Sequence, residues 1–140
     1  MKITKKLGAI ICAAALAVSV GSVAAYAQTK DFNFTMIPFQ SEAINSTGYA
    51  AKAYDGDPKF YVTPTGGLNT SYDEPHAYAV NDRLQECNRD ATVNRLLGYH
   101  RHDIPYYSQS IPVGGQKMNL KIKEFKAGIH NYTLTGRWTP

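Results

Sequence analysis

Along the last quarter of the chain, apolar and polar residues alternate with a period of two. In Lys117-Met118-Asn119-Leu120-Lys121-Ile122-Lys123, one side carries Met118, Leu120 and Ile122, and the other carries Lys117, Asn119, Lys121 and Lys123. Successive side chains of a strand point to opposite faces, so this run predicts a β-strand with its apolar face on a core and its lysines in water. A second run, Asn131-Tyr132-Thr133-Leu134-Thr135-Gly136-Arg137-Trp138, alternates in the same way. Tyr132, Leu134 and Trp138 share one face, while Thr133, Thr135 and Arg137 share the other. The short connection through Lys126-Ala127-Gly128 predicts that the two runs pair as a hairpin.

Upstream the alternation is less regular. Phe32, Phe34 and Met36 alternate with Asn33 and Thr35, predicting an opening strand that ends near Pro38. Further short strands are predicted over residues 49–54, over 60–62 with a stop at Pro64 and Gly66-Gly67, and over 77–84, 93–99 and 106–111. A helix competes over 81–97, where Leu84, Val93, Leu96 and Leu97 also allow a partial helical stripe. Turn residues recur every ten residues or so, and no segment holds a long 3.6-residue period. The fold class expected is therefore all-β, a small antiparallel β-sandwich of about six to eight short strands.

The first 27 residues follow a different logic. Lys2, Lys5 and Lys6 precede an uncharged apolar run from Leu7 to about Val23, which closes on Ala25-Tyr26-Ala27. A positive start, an apolar middle and a small-x-small end make a secretory signal peptide of bacterial type, cut after Ala27. The apolar run, roughly 17 residues, sits at the lower limit for crossing a bilayer, so no stable membrane span is expected after cleavage. Cys12 lies too early in the run to be a lipoprotein cysteine. Residues 28–140 then form a single domain, secreted or extracellular.

Removing the leader changes the charge picture. Three of the fifteen basic residues lie in it, which leaves twelve against eleven acidic ones, net +1. The computed pI of about 9.0 owes much to the leader and makes no case for nucleic-acid binding. Only Cys87 remains of the two cysteines, so the mature part has no internal disulfide, and this thiol is either buried or pairs between chains. Four Asn-x-Ser/Thr sequons, at Asn33, Asn45, Asn69 and Asn131, are read as chance occurrences in a bacterial chain.

Several clusters invite a chemical reading. On a strand, His100 and His102 would share a face, a spacing that suits two ligands of one metal ion. Zinc needs a third and usually a fourth ligand, for which Asp103, His76 or His130 are candidates. The plainer reading of His100-Arg101-His102-Asp103 is a solvated strand end, and no cofactor is expected. Asp55-Gly56-Asp57 resembles the start of a calcium loop, but Pro58-Lys59-Phe60-Tyr61 supplies no further oxygen ligands, which leaves a turn. Asp73-Glu74 also fits a turn, and no motif nominates a pair of carboxylates for glycoside hydrolysis. Gly66-Gly67 and Gly114-Gly115 lie outside any phosphate-binding pattern. Ser108 and Ser110 lack a nucleophile-elbow frame. Cys87 has no catalytic-cysteine context.

Scattered positions nevertheless resemble a known family. They are Phe32, Phe34, Met36, Phe39, Ser46, Tyr49, Pro58-Lys59 and Val62, followed by His102-Asp103-Ile104 and Tyr106-Tyr107-Ser108. A glycine at 114 or 115, Leu120, Tyr132-Thr133, Gly136 and Trp138 complete the set. This spacing resembles small secreted proteins of Gram-positive bacteria grouped as domain of unknown function twenty-seven-twelve. A glycine-rich spacer between His102-Asp103 and Tyr106-Tyr107 is missing, and residues 77–99 are more charged. The resemblance implies secretion and a small β-fold, and transfers no catalytic residue.

The leading expectation is a non-enzymatic binding module whose partner is an unknown protein or a component of the cell envelope. Tyr106, Tyr107 and Trp138 are the expected contact residues, because large aromatic rings give contact area at low entropic cost. Core packing is the competing role, more so for Trp138. Alternatives are a bacteriocin-like antimicrobial or toxin, although no cationic amphipathic helix is visible, and a small metal-dependent or glycan-cleaving enzyme.

Overall fold

In the computed structural model, described over residues 28–37, 42–44, 49–69, 71–88, 94–126 and 131–140, the chain is nearly all β. Eight strands are described: β1 Lys30–Met36, β2 Glu42–Ile44, β3 Ala50–Ala51, β4 Lys59–Gly66, β5 Pro75–Val80, β6 His102–Pro105, β7 Lys117–Glu124 and β8 Tyr132–Thr139. They form two antiparallel sheets, consistent with a small β-sandwich. The first runs β1-β8-β4-β6. In the second, β7 pairs with β5 along residues 119–124, with β2 along 121–123 and with β3 at 117–118. The expected leader and cleavage site lie outside the described residues, as do His130 and Gly128. No helix among the described residues is long and apolar enough to cross a membrane.

Apolar residues of both sheets meet in one core. The first sheet contributes Phe32, Phe34, Phe60, Val62, Ile104, Leu134 and Trp138, and the second contributes Ala77, Ala79, Met118, Leu120 and Ile122. Removing a large side chain of this kind from water contributes about 1.5–3 kcal/mol, so these residues carry most of the driving force. Gly136 sits opposite Phe32 in the β1–β8 register. A Cβ there would lie 2.4 Å from the Thr63 carbonyl oxygen and 2.5 Å from the Phe32 ring, so the ring occupies the space a side chain would need.

The two terminal strands form where the alternation places them, and Leu134 and Trp138 face the core as expected. They do not make a hairpin. β7 belongs to the second sheet and β8 to the first, where β1 and β4 already pair with it. Alternation specifies which face is buried, not which strand is the neighbour, and two apolar faces meet equally well across a sandwich.

Other predicted boundaries shift for local reasons. β4 does not stop at Pro64 but continues to Gly66. Pro64 lies beyond the last β6 partner, Val62, and next to a bulge between Pro64 and Gly66, where a missing N–H is tolerated. Of residues 49–54 only Ala50–Ala51 is strand. The strand expected over 106–111 lies earlier, at His102–Pro105, and Ser108–Ser110 forms a single 3-10 turn.

Neither the strand expected at 93–99 nor the helix considered over 81–97 is present among the described residues. The chain instead turns back at 81–85 and returns beside β5 as an irregular edge. Val80 bridges to Glu86 and His76 to Arg95. The Cys87 amide donates to Ala79 O at 2.9 Å, and the Leu96 amide to Pro75 O at 2.9 Å. Between these points the Asn88 side chain stands in for a peptide group. Its Oδ1 accepts from the Ala79 amide at 2.9 Å, and its Nδ2 donates to Ala77 O at 3.2 Å. β5 is consequently buried along its whole length.

The same segment corrects a second expectation, that Asn119 and Lys121 face water. Both are buried, and the Glu86 carboxylate meets Lys121 at 3.1 Å and Lys123 at 2.8 Å across the outer face of β7. Burial pushes the Glu86 carboxyl up, but the hydrogen bonds from Lys123 and Lys121 outweigh it and hold the pKa below its ordinary 4.5.

Candidate functional site

Where β5 ends and β7 begins, three loops surround an open cleft of about 430 Å³, a volume typical of small-ligand sites. Asn81, Gln85 and Cys87 line it from the returning segment, Gln109 and Ser110 from the 3-10 turn, and Gln116 from the approach to β7. Backbone bonds tie these loops together: the Tyr107 amide donates to Cys87 O at 2.8 Å, and the Lys52 amide to Gln116 O at 3.0 Å.

The hydrogen bonds of the lining residues are polarised. Asn81 Oδ1 accepts from the backbone amides of Arg83 and Gln85, at 3.0 and 2.9 Å. Its Nδ2 must therefore donate, and it reaches Gln85 Oε1 at 3.0 Å. Gln116 Oε1 accepts from the Val113 amide at 3.1 Å. Because backbone N–H groups only donate, these contacts fix which end of each amide is oxygen. Gln109 Oε1 accepts from Ser108 Oγ at 3.2 Å. Gln85 and Gln116 thus each engage Oε1 within their own loops, and their NH₂ groups make no hydrogen bond among the described residues. The cleft thus sets side-chain NH₂ donors beside the Ser110 hydroxyl and Glu86.

The loop that carries Gln85 is held under local strain. Leu84 adopts φ +60°, a left-handed conformation unfavourable for a leucine by about 1–2 kcal/mol. The Leu84 amide donates to Asn81 O at 3.0 Å, and the Asn81 amide to Gln85 O at 3.0 Å, closing the turn that aims Gln85 at the cleft. Cys87 forms part of the floor and is buried, as expected for a lone thiol. Burial pushes its pKa up, which favours the protonated thiol.

The residues expected to make contacts lie elsewhere. Trp138 is 1% exposed and Tyr106 is 7% exposed, both within the core; Tyr106 packs on Phe60 with ring centroids 5.4 Å apart. Neither ring presents a surface to a partner. Tyr107 is half-buried beside the cleft loop. The alternation of residues 131–138 already put Trp138 on the apolar face; for Tyr106, the expected strand at 106–111 gave no inward or outward assignment.

His100 lies before β6 rather than on it, yet its ring meets that of His102, with centroids 4.3 Å apart and planes tilted by 31°. The buried His102 donates Nε2–H to Gly98 O at 3.1 Å, which takes one ring nitrogen out of ligand service. Arg101 Nε donates to Asp103 Oδ1 at 2.8 Å, and the guanidinium lies 3.7 Å from the Tyr61 ring centroid. Tyr61 in turn donates to Asp57, a bond that raises its hydroxyl pKa to about 12. The Asp103 carboxylate is therefore a partner for arginine. Among the described residues no group of three or more His, Cys, Asp or Glu is arranged to hold a metal ion. Asp55 closes its own turn by accepting from the Asp57 amide at 3.0 Å, as expected for a plain turn.

A second polar cluster gathers at the opposite end of β5 and β7. Glu124 accepts from the amides of Glu74 and Lys126 and, at 2.5 Å, from the Tyr132 hydroxyl. Glu74 reaches His76 Nε2 at 3.3 Å and Arg95 at 3.6 Å. These carboxylates are engaged in joining loops to strand ends, so the cluster is architectural. No family model, no curated protein and no solved structure matches this chain.

Proposed function

We propose that this chain is a secreted, non-enzymatic β-sandwich module that binds an envelope component through the amide-lined cleft. The observation that carries the reading is the pair of NH₂ donors on Gln85 and Gln116, residues of the cleft lining whose amide oxygens are held by their own loops. Donors held in place by their own loops lose little entropy when a ligand's oxygens meet them. The signal-like leader and the resemblance to a secreted Gram-positive family support an extracellular setting.

The test is co-sedimentation of the purified protein with isolated bacterial envelopes, comparing wild type with a Gln85→Glu, Gln116→Glu double variant. Glutamate keeps an Oε acceptor for Asn81 Nδ2 and for the Val113 amide, so both loops stay closed, while each NH₂ donor becomes an acceptor. Wild type is expected to sediment with the envelopes and the double variant to lose at least tenfold in affinity. Equal retention of both proteins overturns the cleft as the site, and no retention of wild type overturns the envelope as the partner.

A further inference from the structure

The same loops carry an aromatic ring in an unusual setting. Tyr54 is 68% exposed, yet its ring packs on the backbone beneath it. A Cβ added at Gly114 would lie 2.3 Å from Tyr54 Cδ1, and one at Gly115 would lie 2.4 Å from the Tyr54 hydroxyl. The ring therefore lies along the Gly114-Gly115 backbone from its Cγ to its oxygen, in space that any other residue pair would fill. Gly115 has φ +80°, so glycine is needed there on conformational grounds as well. The Gly115 amide donates to Lys52 O at 2.8 Å, locking the turn to the segment that bears Tyr54. Val113 of the same loop is 72% exposed, and Ile111 and Gln116 line the cleft. A solvent-facing ring thus packs on the loop that also carries Gln116 of the cleft.

We infer that the ligand is a neutral saccharide, bound with one sugar ring against Tyr54 and its oxygens in the amide-lined cleft; this rests on the cleft being the binding site. Three observations select this chemistry. No lysine or arginine is among the residues lining the cleft, and Glu86, which is, already pairs with Lys121 and Lys123, so no cation is left there to meet an anionic ligand. The NH₂ groups of Gln85 and Gln116 remain able to donate, which suits a ligand dense in oxygen acceptors better than a peptide, whose backbone pairs each carbonyl with an N–H donor. A sugar hydroxyl can accept from an amide and rotate its own hydrogen toward water, so it suits these NH₂ donors. The C–H face of a pyranose is apolar and flat enough to pack on an exposed tyrosine, which accounts for a ring outside the core.

The test is native affinity electrophoresis through gels containing galactomannan, mixed-linkage β-glucan or glycol chitin, with wild type, Tyr54→Ala and Gln116→Glu. At least one polysaccharide is expected to retard wild type, with each substitution weakening that retardation tenfold or more. Retardation by none of them, or equal retardation of all three proteins, overturns the saccharide assignment. The envelope co-sedimentation separates the two levels. If retention there falls with Gln116→Glu but soluble oligosaccharides do not compete and protease treatment of the envelopes abolishes it, the ligand is a protein and only the saccharide inference fails. If Gln116→Glu leaves retention unchanged, the cleft reading fails with it.

Discussion

Asn88 offers a severe test of how the second sheet is closed. Its side chain satisfies the Ala79 amide and the Ala77 carbonyl, both on residues with no solvent exposure, at a place where the neighbouring chain leaves β5. Asn88→Ala removes both partners and leaves a buried donor and a buried acceptor. Each such orphan costs about 1–3 kcal/mol, less where a water enters, so the expected loss is about 2–4 kcal/mol. For a domain of this size that is a fall in Tm on the order of 10 °C. Urea denaturation should show the lower midpoint with the slope unchanged, since the surface exposed on unfolding stays the same. Asn88→Asp refines the test. An ionised carboxylate still accepts from the Ala79 amide but turns an oxygen toward the Ala77 carbonyl, so near neutral pH it should be less stable than Asn88→Ala. Burial beside an acceptor raises the folded pKa of the introduced carboxyl above its unfolded value of about 3.9. The protonated form can donate to Ala77 O, and that stability is fully present below pH ~3.9 and lost as pH rises through the raised folded pKa. The difference between the two variants should therefore shrink or reverse in acid. A loss below about 0.5 kcal/mol for Asn88→Ala, the size of an ordinary surface substitution, would refute the role given to this side chain.

Other outcomes follow from the same structure. Gly136→Ala places a methyl group against the Thr63 carbonyl and the Phe32 ring, and should cost about 1–3 kcal/mol in chemical denaturation; a neutral result would mean that β1, β4 and β8 pack less closely than described. His102 is held below its ordinary pKa of 6.5 by burial, only partly offset by its bond to Gly98 O. Its contribution is full above pH ~6.5 and lost as pH falls through the lowered value, so His102→Gln should flatten that part of a stability–pH curve, and an unchanged slope would contradict it. The buried thiol of Cys87 should react with iodoacetamide on the order of 100-fold more slowly in the native protein than in urea, measured by mass spectrometry. Comparable rates would place it at the surface.

How much of this was legible in the sequence varies with the range of the interactions involved. The strands at β7 and β8 were, because strict alternation over eight residues is a local property that tertiary context rarely overrides. Their separation into different sheets was not, since strand partners are chosen by contacts far apart in the chain. Residues 81–96 were misread for a related reason. Leu84, Leu96 and Leu97 suggest periodic structure, but Asn81 and Asn88 supply side-chain bonds that compete with a regular ladder and give a turn and an irregular edge instead. The lysines of β7 looked solvent-facing until Glu86, more than thirty residues earlier, was placed over them. Tyr106 and Trp138 were singled out as aromatics, and the core took both. The cleft could not have been found as a motif, because Gln85, Gln109 and Gln116 converge only once the sheets are formed. Gly114-Gly115 and Tyr54 were each visible, but nothing local says that one lies on the other.

The most direct test of the cleft and its ligand is nuclear magnetic resonance on isotope-labelled protein titrated with the neutral oligosaccharide of the best-retarding polysaccharide. The side-chain NH₂ signals of Gln85, Gln109 and Gln116 and the ring signals of Tyr54 are expected to shift together along one saturable curve, while Trp138 and the Glu124 cluster stay still. Shifts confined to another face, or an unchanged spectrum at millimolar sugar, would contradict the assignment of this cleft to saccharide binding.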